Sequence, residues 1–183
     1  MSTSAAAEDD DAARQAPAQL ALAVELGGIG LWRHDLVADR MHFNTQAMRG
    51  LGIAPRPEGL PLDEFLALVH PQDLPRVRAS AAAALHSDQP TDLEARYRGA
   101  DGSWREVLTR RIVQRDADGR ALGFVGVAID ITEQRKAEHT LRVERERVAM
   151  ATRAAGIGTW EFEPASGTAF WDEQMWRLRG IER

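Results

Sequence analysis

Alternating apolar and polar residues predict two short β-strands near the start of the chain. The first covers 29–36, where Trp32 and His34 share one face and the charged Arg33 and Asp35 share the other. The second covers 40–43 and follows a polar turn, so the two strands are expected to form a hairpin. One face of such a pair is buried against a core.

Three longer strands are predicted further along the chain. They cover 91–98, 104–115 and 121–131, and apolar residues recur at every second position in the first and the last of them. The turns between them contain Asp101-Gly102 and Asp118-Gly119, which are typical of β-hairpins. These strands are therefore expected to be antiparallel.

Helical spacing of apolar residues predicts four helices around these strands. The predicted helices cover 17–26, 45–51, 62–69 and 74–86. Two strands, a helical middle and three antiparallel strands indicate an α+β domain with a single sheet.

A long helix is predicted after the last strand. It runs from Thr132 to Ala155, with Thr132 as its N-cap. Leu141 and Val148 lie one heptad apart in a repeat that Glu144 and several alanines weaken. The pattern indicates a connector helix that either pairs with a second copy or remains solvated and packs on its own domain.

The opening segment of the domain occurs again near the end of the chain. At one constant offset Gly28 pairs with Gly156 and Trp32 with Trp160. A repeat of this length marks a domain rather than a solenoid unit. The predicted organisation is a disordered acidic tail at 1–15, a complete domain at 16–131, a connector helix at 132–155 and an incomplete start of a second domain at 156–183. Because a strand pair and one helix cannot bury a core, residues 157–183 are expected to be poorly ordered or to pack on other surfaces.

Composition limits the class of protein. The 183 residues have a formal net charge of −5, which argues against a nucleic-acid-binding surface, and no cysteine, which removes disulfides and thiolate chemistry. The sequence shows no membrane span and no signal peptide, so a cytoplasmic location is expected. No set of nucleophile, base and oxyanion donors can be assembled, and this chain is not expected to be an enzyme by itself.

Six motifs of the chain occur in the same order in one known family. They are Gly28-Ile29-Gly30-Leu31-Trp32, Val69-His70-Pro71-Gln72-Asp73, Leu93-Glu94-Ala95-Arg96-Tyr97-Arg98, Asp101-Gly102-Ser103, Asp118-Gly119-Arg120 and Gly126-Val127-Ala128-Ile129-Asp130-Ile131-Thr132-Glu133. With these motifs the segment 20–135 resembles a PAS domain, in particular the branch found in bacterial sensor kinases and cyclic-di-GMP enzymes. The segment 156–183 resembles only the opening part of the same family.

The resemblance implies a five-stranded antiparallel sheet flanked by short helices, with a sensory function. Such domains bind a small molecule or cofactor between sheet and helices, or pair with partners, and signal through the helix that follows the last strand. The implied parent is a sensor histidine kinase with its output domain in the same polypeptide, and a diguanylate cyclase or phosphodiesterase is the alternative. A dimerisation scaffold that binds no ligand is a further candidate function, of a different class from a sensor.

The space between sheet and helices is the candidate ligand pocket. Its candidate residues are Trp32, His34, Phe43, Asn44, Met48, Phe65, Tyr97 and Phe124. An apolar lining with a few polar anchors is typical of a ligand site and equally of a core. His34 stands where the repeat has Phe162, so it is either a ligand anchor or a hydrogen-bonded core histidine.

The sequence leaves the cofactor open between none, a small organic ligand and flavin. Haem is not favoured, because the helix 74–86 carries only His86, near its end. A flavin–cysteine adduct is excluded for this chain, while Asn44 either contacts a flavin ring or caps the helix 45–51. No metal site is predicted, and His70 is expected to organise its own loop.

The end of the last strand is the candidate signal relay. Asp130, Ile131 and Thr132 lead into the connector helix, and Asp130 is expected to pair with Arg110 or Arg111 of the neighbouring strand. Such a pair would couple the sheet to the helix.

The last strand is also the candidate dimer surface, because both of its faces are largely apolar. Val125, Val127, Ile129 and Ile131 alternate with the residues that face the core. An apolar face of this kind is expected to be buried by another element, either the N-terminal helix or the same surface of a second subunit. We expect a homodimer with two parallel connector helices.

Overall fold

The computed structural model describes residues 17–181, which divide into two units. The first unit extends to Thr132 and the second begins at Glu133. The acidic tail predicted at 1–15 lies outside the described residues. Between 17 and 181, no helix has both the length and the apolar character needed to cross a bilayer.

An antiparallel sheet of six strands forms the first unit. The strands are β1 (Gly30–Asp35), β2 (Arg40–Phe43), β3 (Leu60–Pro61), β4 (Thr91–Arg98), β5 (Trp104–Arg115) and β6 (Ala121–Asp130). Their order is β3-β2-β1-β6-β5-β4, so β1 and β6 are neighbours at the centre of the sheet. The α+β class is confirmed, and the extra strand is the two-residue β3 in a stretch that reads as a loop in the sequence.

The helices of this unit lie close to their predicted positions. They are α1, described over 17–26, α2 (Thr45–Leu51), α3 (Leu62–Leu66) and α4 (Leu74–Ala84). Helix α3 ends before Val69 because that residue bridges to Tyr97 of β4. Pairing with the sheet therefore overrides the helical spacing of this segment.

The core lies between the inner face of the sheet and the helices that follow β3. A buried cluster consists of Val69, Val77, Leu93, Ala95 and Tyr97. Three of these residues alternate along β4 and point inward, as the sequence pattern predicts.

A partly buried ion pair joins the start of α4 to β4. Asp73 accepts hydrogen bonds from Nε and Nη2 of Arg96, both at 2.9 Å, and from the Arg96 backbone N–H at 2.9 Å. These hydrogen bonds hold the pKa of the Asp73 carboxyl well below its usual range. Nearby, Nδ1 of His70 accepts from the Gln72 N–H at 3.3 Å, so His70 organises its loop as expected.

The second unit contains the connector helix and a small hairpin with one helix. Its elements are α5 (Thr132–Ala154), β7 (Trp160–Glu163), β8 (Thr168–Trp171) and α6 (Glu173–Arg179). None of the side chains in β7, β8 or α6 is buried. A strand pair and one helix thus bury no core by themselves.

The hairpin and α6 reproduce the local geometry of β1, β2 and α2. Asp172 caps α6 as Asn44 caps α2, with the same extended backbone in both. Trp160 lies opposite Trp171 as Trp32 lies opposite Phe43. That this segment begins a second domain remains a prediction.

Candidate functional site

A cavity of about 440 Å³ lies inside the first unit, between the inner face of the sheet and helices α2, α3 and α4. Its volume is within the range of small-molecule sites. Six of the eight candidate residues line it, namely Trp32, His34, Phe43, Phe65, Tyr97 and Phe124.

An aromatic row forms one wall of the cavity. The ring centres of Phe43 and Phe65 are 5.6 Å apart, and those of Phe65 and Tyr97 are 5.7 Å apart. Burial raises the pKa of Tyr97 to about 12, so its hydroxyl is neutral at pH 7. This wall offers apolar surface and one neutral hydroxyl.

Asn44 does not line the cavity, because its side chain is used at the start of α2. Its Oδ1 accepts from the backbone N–H groups of Leu31 and Ala47, both at 3.0 Å, and its Nδ2 donates to the Ile29 carbonyl at 3.1 Å. The capping interpretation is confirmed. The flavin contact considered for Asn44 would need a side chain that faces the cavity.

Met48 is also outside the cavity. Helix α2 turns Ala47 and Leu51 toward the cavity, while Met48 lies on another face and lines a smaller groove with Ile53. His86, the histidine weighed as a haem ligand, is exposed beyond the end of α4 and is absent from the cavity lining. Among the residues from 17 to 181, no group of three potential ligands could hold a metal ion.

The polar end of the cavity is built around Phe124. His34 lies directly opposite Phe124 in the sheet, with ring centres 6.3 Å apart, and its Nε2 is 3.2 Å from Oδ1 of Asp39. On the next strand the Arg111 guanidinium lies 5.6 Å from the centre of the Phe124 ring. His34 is therefore a buried, hydrogen-bonded histidine at the cavity wall.

Arg111 is a cavity residue that the sequence reading placed only as a partner of Asp130. Its Nη2 donates to Oγ of Ser80 at 2.5 Å instead. The signal was present, since Val107, Thr109 and Arg111 alternate along β5 on the inner face. An arginine at an inward position of a strand marks a polar site inside the domain.

The end of β6 joins the cavity to α5. Oδ1 of Asp130 accepts from the backbone N–H of Thr132 at 2.9 Å and from its Oγ1 at 2.5 Å. Oγ1 of Thr132 in turn accepts from the Glu106 N–H at 2.9 Å. We call Arg105, Asp130 and Thr132 the junction. Arg105 and Asp130 line the cavity, and Thr132 is the first residue of α5.

Two expectations about the junction are wrong. Asp130 pairs with Arg105, at 3.5 Å between Nη1 and Oδ2, because Asp130 lies opposite Val107 and the next residue on that face is Arg105. Arg110 pairs with Asp92 instead, at 2.6 Å.

Thr132 is not the cap of α5 but its first residue. Its hydroxyl donates to the Asp130 carboxylate instead of accepting from the first turn of the helix. Its backbone N–H is bound by the same carboxylate, two residues earlier in the chain.

Comparison with known proteins agrees with this architecture. The family model of the PAS fold matches residues 41–128. The first unit is a PAS domain. The crystal structure of a sensory box histidine kinase/response regulator from Burkholderia thailandensis is similar, with 27% identity and a TM-score of 0.57 over 72% of this chain and 98% of that one.

Curated relatives of the PAS domain are much longer proteins. The probable diguanylate cyclase DgcE of Escherichia coli is 30% identical over 64% of this chain, which is 11% of its own length. The sensor protein FixL of Bradyrhizobium diazoefficiens is 27% identical over 65% of this chain, which is 23% of its own length. Segments similar to this chain thus occur in a sensor protein and in a probable diguanylate cyclase.

The outer face of the PAS sheet carries exposed apolar side chains. They include Leu31, Ile112 and Ile129, which are 38–43% exposed. Val125 and Val127 are partly exposed on the same strand. Ile131, which the alternation placed with them, is buried because β6 ends at Asp130 and the Ile131 N–H bonds to the Glu106 carbonyl.

The N-terminal helix, one of the two candidate covers of this face, leaves its leucines exposed. Leu20, Leu22 and Leu26 of α1 are all more than half exposed. In α5, Leu141 is 49% and Val148 is 63% exposed. Apolar surface is therefore available on the PAS domain and, separately, on the connector helix.

Proposed function

We propose that the PAS domain is a sensory module, in which the occupancy of the cavity is relayed through the junction to α5 and to an output domain of the same polypeptide. The main support is the position of Asp130, which lines the cavity and also binds the first residue of α5. A ligand that displaces Arg105 or Asp130 changes the hydrogen bonds that hold the start of the helix.

The relay needs only a small energetic difference. Two arrangements of the junction that differ by one or two charge-assisted hydrogen bonds differ by about 1–3 kcal/mol, which is enough to shift a two-state equilibrium by an order of magnitude. Within the chain this role is regulatory and not catalytic. A sensor histidine kinase is the output we favour, and a diguanylate cyclase is the alternative that the Escherichia coli relative supports.

The junction is tested by Asp130→Ala in the full-length protein. This change removes the single oxygen that accepts both hydrogen bonds donated by Thr132, and it removes the partner of Arg105, so the output activity should change several-fold. The free energy of unfolding should fall by only about 1 kcal/mol, because the Asp130 side chain is half exposed. Asp92→Ala is the matched control, since it removes an exposed Asp–Arg pair of the same sheet. Equal output activity in Asp130→Ala and the control would exclude a relay through the junction.

We further propose that the PAS domain forms a homodimer through the outer face of its sheet. A second copy presents the same apolar side chains around a two-fold axis, which makes the surface self-complementary. The exposed Leu141 and Val148 of α5 support parallel pairing of the connector helices in the same dimer.

The dimer is tested by Ile129→Glu. A charge within the proposed apolar interface should weaken dimerisation at least tenfold in analytical ultracentrifugation, because Ile129 is one of its exposed apolar residues. Val37→Glu is the control, because Val37 is 83% exposed in the turn between β1 and β2, near the start of β6 and at the opposite end of that strand from Ile129. A wild-type protein that stays monomeric at 0.1 mM (roughly the concentration at which weak dimers form) would refute the dimer.

A dimerisation scaffold without a ligand is the second candidate function. The exposed outer face of the sheet favours it, since that surface needs no occupied cavity. The two candidates differ in the effect of Asp130→Ala, because a scaffold has no signal to relay.

A further inference from the structure

The cavity contains a buried cation without an acidic partner. Arg111 is only 7% exposed, and its Nε has no hydrogen-bond partner. Its contacts are the Ser80 hydroxyl at 2.5 Å and the face of Phe124 at 5.6 Å. No carboxylate among residues 17–181 lies within ion-pair distance of it.

A buried charge of this kind is unfavourable unless something compensates it. Burial lowers the pKa of the Arg111 guanidinium, yet arginine stays protonated at pH 7. One hydroxyl and one aromatic face compensate only part of the lost hydration. An apolar side chain at this inward position of β5 would pack without that cost, so the guanidinium indicates an anionic partner.

The charges around the cavity point the same way. Arg78, Arg105 and Arg111 contribute to its lining, and the only carboxylate among the described lining residues is Asp130. Asp130 is already bound to Arg105 and Thr132. The lining thus carries an excess of positive charge that attracts an anion.

The rest of the cavity is suited to an apolar group. The aromatic row of Phe43, Phe65 and Tyr97 forms one wall, and Val77 and Ala81 of α4 contribute to another. None of these side chains carries a charge. A ligand that fits both parts has one acidic end and an apolar body.

We propose that the cavity binds an organic monocarboxylate, whose carboxylate accepts hydrogen bonds from Arg111 and whose apolar body lies along the aromatic row. This inference rests on the proposed sensory function, and it adds the chemical class of the ligand. The unpartnered Nε of Arg111 supplies the first donor, and an arginine fork matches the geometry of a carboxylate. Recognition at Arg111 is distinct from the relay at the junction.

The experiment compares acids with amides of the same shape. The probes are 3-phenylpropionate and octanoate, with 3-phenylpropanamide and octanamide as neutral controls, titrated calorimetrically into the 183-residue chain at pH 7. Both acids are ionised at this pH. Each acid should bind at least about tenfold more tightly than its amide, the difference expected for a charge-assisted hydrogen bond.

Two variants separate recognition from folding. Arg111→Met should abolish the preference for acids while the melting temperature of the free protein stays equal or rises, because an uncompensated buried charge is gone. Arg111→Lys keeps the charge without the fork and should retain part of the preference.

Three outcomes would overturn the inference. Equal affinity for acid and amide would show that Arg111 does not recognise the carboxylate, although the cavity would still be a ligand site. Binding of neither member of either pair below about 1 mM would exclude monocarboxylates of this size. If the Arg111→Met protein has a much lower melting temperature and still prefers acids, Arg111 stabilises the fold and does not recognise the ligand. The Asp130→Ala result is independent of all three, so failure of the ligand class and failure of the relay are distinguishable.

Discussion

Asp73→Ala should destabilise the PAS domain by about 2–4 kcal/mol and lower its melting temperature by roughly 10 °C. The carboxylate of Asp73 is nearly buried and accepts three hydrogen bonds from Arg96. Removing it leaves the backbone N–H and Nε of Arg96 without their acceptor, while Nη2 keeps a hydrogen bond to Oε1 of Gln72 at 3.1 Å. Urea denaturation followed by circular dichroism measures the loss.

The control for this prediction is Asp92→Ala. Asp92 also binds an arginine through two hydrogen bonds, at 2.6 and 2.7 Å to Arg110, but both side chains are largely exposed. Solvent screens such a pair, so we expect a loss of less than about 1 kcal/mol. Similar losses in the two variants would show that burial of the Asp73 pair does not matter.

The same ion pair gives the domain a specific acid sensitivity. The pKa of Asp73 is lowered in the folded state by its hydrogen bonds with Arg96, so the unfolded state binds the proton more readily. The stabilisation from Asp73 is therefore complete above the unfolded pKa of about 4, and it is lost as the pH falls toward the lower folded pKa. Asp73→Asn should have a flatter stability curve than the wild type below pH 5.

Gly123→Ala should destabilise the domain by about 2–3 kcal/mol or more. Gly123 lies opposite Asp35 where β6 pairs with β1, and a Cβ at this position would be 2.3 Å from the backbone oxygen of His34. Because the obstacle is backbone, no side-chain rotation relieves the overlap. The central strands must separate, and His34 moves with them at the cavity wall.

Gly50→Ala is the matched control for the glycine. Gly50 lies inside α2, and a Cβ there meets no atom within 4 Å. Alanine in a helix interior is favoured over glycine by about 0.5–1 kcal/mol, so this variant should be slightly more stable than the wild type. Thermal unfolding of the two variants checks the sign of each effect, and a Gly123→Ala protein that melts with the wild type would contradict the close approach.

Local patterns predict most of the elements and many cavity residues. The alternation in β4 identifies Tyr97 as an inward residue, and Asn44 directly before α2 is correctly predicted as its N-cap. Met48 is misplaced because spacing alone does not say which face of a seven-residue helix meets the sheet. Ile131 is misplaced because the end of β6 depends on its neighbour β5.

The partners of charged residues are the features that sequence reading misses most. The strand β5 beside Asp130 carries several arginines. The register sets Asp130 opposite Val107, and this position brings Arg105 and no other arginine of β5 into an ion pair with it. The pairing of Asp73 with Arg96 likewise joins segments that are distant in the chain. Which charged residues pair in this way depends on how complete strands and helices pack against one another.

The amino-acid pattern alone is sufficient to identify an α+β domain that resembles the PAS family, with an apolar inner face and a long helix after its last strand. Side-chain periodicity, turn glycines and capping residues indicate the α+β class because they act between near neighbours in the chain, whereas the family comes from the resemblance of six motifs. The folded domain is needed to see that Arg111 is buried without an acidic partner, and that Asp130 lines the cavity and also binds the first residue of α5. The reason is physical: strand register and helix docking are set by packing over the whole domain, and they determine which distant groups become neighbours.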